Sequence, residues 1–449
     1  MHVGAYESVE PVGVGIISYL SGLWLLRLPF VGGVFERVGY RLVFSISWFW
    51  AGISAGYANI FQDARQNTLD AAHFFALASQ GDTGLLLEDI LKVTEGSLAV
   101  SVWMLVYDFF AILGFERGRY VGVTFNVLLV SMTAVIGVKM VKLLFGVDPV
   151  RINRFILLFS LCGLFWMFAS IHIRDAATLF AVSALMYFWV RYLTVPHSHN
   201  LMWLVAASMT AFFVFGFLRA EFVFVPIAML AAGLVAVFVG NSSKGRRRLW
   251  IYSSVMLALI VFAVILAMPQ FDLLDTFVEN VLVGNKEHYT EASAGESDAS
   301  SLGYRLIVAA PLPVRLVLGS GYLLMMPIPV WHGFQLHNAY DLFLSFYALF
   351  MYALVPLLAL SVYRMAKHKE LRTAPLLFLL FVTVGFTLSI AGTSVEQRHL
   401  GSFFVALILL AMVPNLKSGL DRGAYRFLLR IFVGMMILLH ALWAPLKFL

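Results

Sequence analysis

Apolar stretches of about 17 to 22 residues recur from one end of the chain to the other, close to the roughly 20 that a helix needs to cross the hydrocarbon core of a bilayer. They fall near 14–33, 42–60, 121–145, 155–173, 176–194, 201–218, 220–240, 250–269, 340–363, 375–391, 400–416 and 427–446. Two more, 97–114 and 317–331, are apolar but ambiguous. Composition agrees: 61% of the 449 residues are hydrophobic, 12% are charged and mean hydropathy is +0.88, whereas a soluble domain carries about 25% charge. The expected architecture is all-α, a polytopic integral membrane protein of about 11–14 transmembrane helices with interfacial helices in its outer loops. One transmembrane domain, 1–449, is expected, with no soluble domain inside it.

The first residues, MHVGAYESVE, lack the basic leader, short apolar core and cleavage site of a secretory signal, so the first span is expected to stay. The single cysteine, Cys162, falls inside a span, which rules out a disulfide within the chain and a cysteine-based metal site. The pI near 9.3 does not point to nucleic acid. The positive residues sit in short loops between spans, where they set topology.

Orientation follows from those loops. The densest basic cluster, Ser242 to Arg248 (SSKGRRR), belongs in the cytoplasm. Alternation then puts Arg37 with Arg41, Arg151 with Arg154, Arg364 to Arg372 and Lys417 to Arg430 on the same side. The outer face receives Arg174-Asp175, Arg219 with Glu221, the segment 270–337, and Glu396 to His399. This parity holds only if 97–114, interrupted by Asp108, does not cross. The stretch is therefore read as an interfacial or re-entrant helix with Trp103 and Tyr107 at the membrane boundary, inside an outer-face region 61–120.

The outer face then collects most of the polar chemistry. Asp63 and Arg65 open its first loop, followed by Asp70, His73, Glu88 and Asp89. Arg174 and Asp175 stand at a span junction, Arg219 and Glu221 in a very short turn, and Arg398 two residues after Glu396. Charges flanking spans are ordinary anchors. In turns too short to leave the membrane surface, however, a charge either snorkels or lines a cavity between helices. Arginines from several helix ends suit an anionic substrate such as a lipid diphosphate, because guanidinium stays charged and grips phosphate bidentately. A nearby carboxylate serves as general base for a sugar hydroxyl.

The long outer segment 270–337 carries the polar run NKEHYTEASAGESDASS and then Arg305, and is read as a lid over the outer cavity. The pairs Pro311/Pro313 and Pro327/Pro329 bracket an apolar stretch and interrupt regular helix. Beyond them His337, Asn338 and Asp341 start the next span. The chain has no Walker loop, strand-borne GxGxxG, HExxH or GxSxG. His197 and His199 are read as cytoplasmic loop residues.

Four elements carry a family resemblance: Asp63 in DARQNTLDAAHFFALAS, the span from Asn126 to Gly146, Ile173-Arg174-Asp175 followed by an apolar helix, and GTSVEQRH at 392–399 with the proline-rich stretch 311–329 upstream. The layout resembles the GT-C-type membrane glycosyltransferases and the O-antigen polymerases of the Wzy type. The resemblance implies a polyprenyl-linked saccharide as substrate, with Arg174, Arg219, Arg305 and Arg398 on its phosphates and Glu221, His337, Asn338, Glu396 and His399 around them. It also implies that an acceptor hydroxyl displaces the pyrophosphate with inversion, and that arginines stabilise the leaving group without a required metal, a divalent ion being left open. The tyrosine that the family carries after its first acidic residue is absent here, where Asn67 and Thr68 stand. The catalytic base is thus open between Asp63, Asp70, Glu88 and Asp175.

The leading expectation is an enzyme of the bacterial inner membrane, facing the periplasm or exterior, that polymerises undecaprenyl-linked repeat units of a surface polysaccharide, with other polysaccharide-assembly proteins as potential partners. Transfer of a single sugar from a polyprenyl phosphate is the alternative within the class. A lipid or polysaccharide flippase is the alternative outside it, disfavoured because no internal repeat is found and the spans are nearly free of charge apart from Arg27, Asp108 and Lys139.

Overall fold

The computed structural model describes residues 9–27, 39–60, 79, 97–218, 222, 224–240, 307, 310–325, 330–335, 339–392, 395 and 397–448. The chain divides into two compact units. The first comprises Met1–Arg191, Thr210–Val223 and Trp331–Phe350, and the second Tyr192–Met209, Phe224–Val330 and Met351–Leu449. The described secondary structure is helical throughout. The protein is an all-α, multi-pass membrane protein.

The described helices are α1 (Val9–Leu25), α2 (Gly39–Ile60), α3 (Ser97–Ile112), α4 (Arg119–Phe145), α5 (Pro149–Ser160), α6 (Gly163–Ser170), α7 (Asp175–Thr194), α8 (Ser198–Leu218), α9 (Val225–Val239), α10 (Leu312–Met325), α11 (His332–Gln335), α12 (Ala339–Lys367), α13 (Ala374–Gly392), α14 (Gln397–Gly401), α15 (Phe404–Leu410) and α16 (Gly419–Phe448). Among the described residues, α4, α7, α12, α13 and the Gly419–Leu442 part of α16 are long and apolar enough to cross a bilayer, and the bent pair α5–α6 makes a sixth if counted as one span. The expected span 250–269 lies outside the described residues.

Within the first unit, α4 is the central post. It carries no single apolar stripe, as befits a helix enclosed by others, and most of its length is buried. Helices α1, α2, α3, α5 and α6 all pack on it. The turn after α4 is built from local chemistry. Gly146 takes φ +73° and its N–H closes on Lys142, Asp148 caps the N–H of Val150 at 3.1 Å, and Pro149 opens α5. Across α1 and α2, the Tyr19 and Ser45 hydroxyls share a 2.7 Å hydrogen bond.

The span expected over 155–173 is not one straight helix. It breaks at Leu161 and Cys162, and α5 and α6 meet at a 56° bend. Two tertiary contacts hold the break. The indole N–H of Trp166 donates to the Ser160 carbonyl at 2.7 Å, taking up an acceptor that the ended helix leaves behind. Gly163 brings α6 so close to α12 that a Cβ there would lie 2.1 Å from the Phe343 carbonyl oxygen. The segment expected over 400–416 is likewise divided, into α14, α15 and turns beyond it.

In the second unit, α13 is the shared partner of α9, α10, α14 and α15. Ser361 on α12 donates to the Leu410 carbonyl at 2.7 Å, and Arg364 pairs with Asp421 at the start of α16. Helix α16 is the least enclosed of the described candidate spans. Leu420, Phe427, Ile431, Ile437, Leu438 and Leu442 are exposed on it, as expected of side chains facing lipid.

Candidate functional site

Arg174 and Asp175 end the turn 171–174 and begin α7. The turn is fixed from three sides. Asn126, fully buried on α4, donates from Nδ2 to the Ile171 carbonyl at 2.7 Å and to that of Ile173 at 3.4 Å. His172 turns inward, 1% exposed, and its ring lies on the backbone of Gly122, where a Cβ would come within 2.0 Å of it. Trp103 and Tyr107 of α3 close the far side, with ring centroids 5.3 and 6.0 Å from that of His172.

Held in this way, Arg174 extends across the unit and donates from Nη1 to the Leu218 carbonyl at 3.2 Å, at the end of α8. The chain continues from Leu218 directly into Arg219. Arg174 is half-buried, whereas Asp175 is 2% exposed in the first turn of α7, where a carboxylate favours the helix dipole. Arg119 opens α4, three residues before Gly122 on the same helix.

The first unit also holds an apolar cavity of about 520 Å³ lined by Trp50, Tyr57, Trp166, Phe334, Phe343 and Phe346, among others. Trp166 belongs to α6, which runs directly into the 171–174 turn. The Gly333 N–H donates to Ser345 Oγ at 3.0 Å and seats α11 on α12 at the cavity wall.

The second unit carries a separate group. Val395 adopts φ +53° while 1% exposed, a left-handed backbone that a β-branched residue enters only under constraint. Its N–H reaches back to the Ile390 carbonyl at 2.9 Å. Arg398 and His399 follow on α14, half-buried and buried respectively. Helix α10 packs against both α13 and α14. Its Arg315, 3% exposed, donates from Nε to the Ala391 carbonyl at 3.3 Å.

No family model matches the chain, and no curated protein matches it. Among solved structures it is similar to archaeal oligosaccharyltransferase AglB from Archaeoglobus fulgidus, in complex with an inhibitory peptide and a dolichol-phosphate. The match has a TM-score of 0.44 and 14% identity, and covers 97% of this chain and 54% of that one. The chain thus spans about half the length of that protein. At this level the likeness assigns neither a family nor an activity.

Of the residues singled out in the sequence, Arg174, Asp175, Arg398 and His399 are described. The structure joins Arg174 to the end of the helix that leads to Arg219. Asp63, Asp70, Glu88, Arg219, Glu221, Arg305, His337, Asn338 and Glu396 lie outside the described residues. Trp103 and Tyr107 do not lie on the protein's surface. Both are buried, because His172 offers their rings a partner inside the protein. Sequence reasoning passed over Arg119, Asn126, His172 and Arg315. Asn126 and Arg315 carried a signal, each a polar side chain set among apolar neighbours in its helix. Nothing local marked the pairing of His172 with Gly122.

Proposed function

We propose that this chain is a glycosyltransferase of the bacterial inner membrane that acts at the extracytoplasmic face on undecaprenyl-(di)phosphate-linked saccharides, polymerising repeat units of a surface polysaccharide such as O-antigen, capsule or exopolysaccharide. The observation that carries this reading is the braced turn at Arg174, whose guanidinium reaches the Leu218 carbonyl at the threshold of Arg219. A fixed guanidinium in a low-dielectric setting holds a diphosphate strongly and needs little reorganisation as charge develops on the leaving oxygen.

In this mechanism Arg174 and Arg219 hold the diphosphate, while Glu221, His337 and Asn338 contact sugar or phosphate. The acceptor hydroxyl attacks the anomeric carbon, a carboxylate takes its proton, and the bond from that carbon to the diphosphate oxygen breaks with inversion. Asp175 is nearly inaccessible and is assigned to positioning Arg174, which leaves Asp63, Asp70 and Glu88 as the bases to test. The aromatic cavity between Trp50 and Phe346 offers an apolar seat for the isoprenoid chain.

Deleting the gene and resolving lipid-linked glycans and surface polysaccharide on a gel tests the proposal. A ladder that collapses to single repeat units supports the polymerase, and accumulation of a truncated repeat unit points to single-sugar transfer. An unchanged glycan profile sinks both readings.

A further inference from the structure

Helix α16 seats on the rest of the second unit along one seam. Asp421 pairs with Arg364, the Phe432 ring stands 6.1 Å from that of Tyr352, and Met436 is 1% exposed. Away from that seam Arg422, Arg426 and Arg430 are all exposed. They recur every four residues, so each stands about 6 Å along the axis from the next. At about 100° per residue they lie roughly 100°, 140° and 180° round the helix from Asp421.

Among the described residues no acid pairs with any of the three. Asp421 is the acid of α16, and its two carboxylate oxygens are taken by Arg364 and by the Asn415 N–H. Glu370, just beyond the end of α12, stands 3.3 Å from His368. Arg422 is partly tied, its Nε donating to the Leu416 carbonyl at 3.1 Å. Like charges four residues apart on a helix repel, and an anion held between Arg426 and Arg430 relieves that repulsion.

The place of the stripe along the helix names the anion. Directly beyond Arg430 the exposed residues are apolar, among them Ile431, Met435, Leu438 and Leu442. From Ile431 to Phe448 the helix runs about 27 Å at 1.5 Å per residue, close to the ~30 Å of a hydrocarbon core. With that length in the core, Arg430 falls at the level of the lipid phosphates and Arg426 one turn further out, in the headgroup layer. A guanidinium there grips a phosphate bidentately. A zwitterionic headgroup brings its own ammonium, which offsets the gain, whereas an acidic one does not.

We propose that Arg426 and Arg430, flanked by Arg422, form a binding surface for the headgroup of an acidic phospholipid on the exposed flank of α16. The surface is independent of the glycosyl-transfer reading and stands or falls without it.

The test uses the full chain, purified and then offered phosphatidylglycerol or phosphatidylcholine, with retained lipid counted by native mass spectrometry. Each arginine at headgroup level is expected to favour the acidic lipid by about fivefold, so the wild-type chain prefers phosphatidylglycerol by about 25-fold. Arg426→Gln/Arg430→Gln is expected to retain the two lipids nearly equally. Both side chains are exposed, so this variant keeps the wild-type melting temperature. Arg426→Lys/Arg430→Lys keeps most of the preference because the charge persists, and added salt weakens it in the wild type. Equal retention of the two lipids by the wild-type chain, or an undiminished preference in the glutamine variant, overturns the proposal. Equal retention together with a poly-glutamate peptide that binds the wild-type chain and not the glutamine variant overturns it in favour of an acidic protein partner.

Discussion

Asn126 holds Ile171 from across the first unit, its side-chain amide 2.7 Å from the Ile171 carbonyl although 45 residues separate the two. A polar side chain on an enclosed apolar helix thus carries the turn that presents Arg174. Replacing Asn126 with alanine leaves the Ile171 and Ile173 carbonyls without this donor, at a cost of about 1–3 kcal/mol. We expect a lower melting temperature in detergent and a loss of polymer product larger than the unfolded fraction explains. Unchanged values of both would remove Asn126 from the support of the turn.

Gly122 makes an opposite kind of test. Alanine normally stabilises a helix interior relative to glycine, by about 1 kcal/mol. Here a Cβ would stand 2.0 Å from the His172 ring, so Gly122→Ala is expected to destabilise by about 1–3 kcal/mol through overpacking. Truncating the ring in a Gly122→Ala/His172→Ala pair is expected to recover part of the loss. Thermal unfolding of the two single variants and the double one measures the coupling, and strict additivity would mean that ring and backbone do not meet.

Arg174 separates charge from shape. Lysine keeps the positive charge but has no planar fork to grip a phosphate while reaching the Leu218 carbonyl. Both Arg174→Lys and Arg174→Ala are expected to lower polymer yield in a complemented deletion strain by about tenfold or more, which corresponds to ~1.4 kcal/mol of transition-state stabilisation. Full activity in both variants would withdraw Arg174 from the phosphate site.

Arg364 and Asp421 form an ion pair in the second unit with side chains 15% and 9% exposed, and Asp421 also accepts from the Asn415 N–H at 2.8 Å. Removing one member of so enclosed a pair strands the other. Arg364→Met is expected to cost about 3 kcal/mol, and Arg364→Met/Asp421→Leu less than the sum of the two single changes. Chemical denaturation in detergent distinguishes these outcomes.

Where burial in lipid and local chemistry decide the backbone, the sequence could be read closely. The stretch expected at 121–145 is the helix Arg119–Phe145, that at 176–194 is Asp175–Thr194, and that at 375–391 is Ala374–Gly392. Phe145 to Pro149 (FGVDP) announces its own turn, through a glycine able to take positive φ, a capping aspartate and a proline at the next helix start. The break at Leu161–Cys162 was not legible. No proline marks it, and it depends on a Trp166 contact and on the approach of α12 to Gly163. The inward turn of Trp103 and Tyr107 has the same origin, a histidine 65 or more residues away that only the fold brings near.

The clamp at Asn126 also fixes a depth. Asn126 lies seven residues inside α4 from Arg119, about 10 Å along the axis at 1.5 Å per residue, and the carbonyls it holds belong to the turn that carries Arg174. The turn is therefore a recessed floor rather than a rim. In the proposed reaction, a phosphate that meets Arg174 would descend some two helical turns below the end of α4. Under the glycosyl transfer we propose, bulk water at that depth would compete poorly with a sugar hydroxyl, and growth of a chain would be favoured over hydrolysis of its donor.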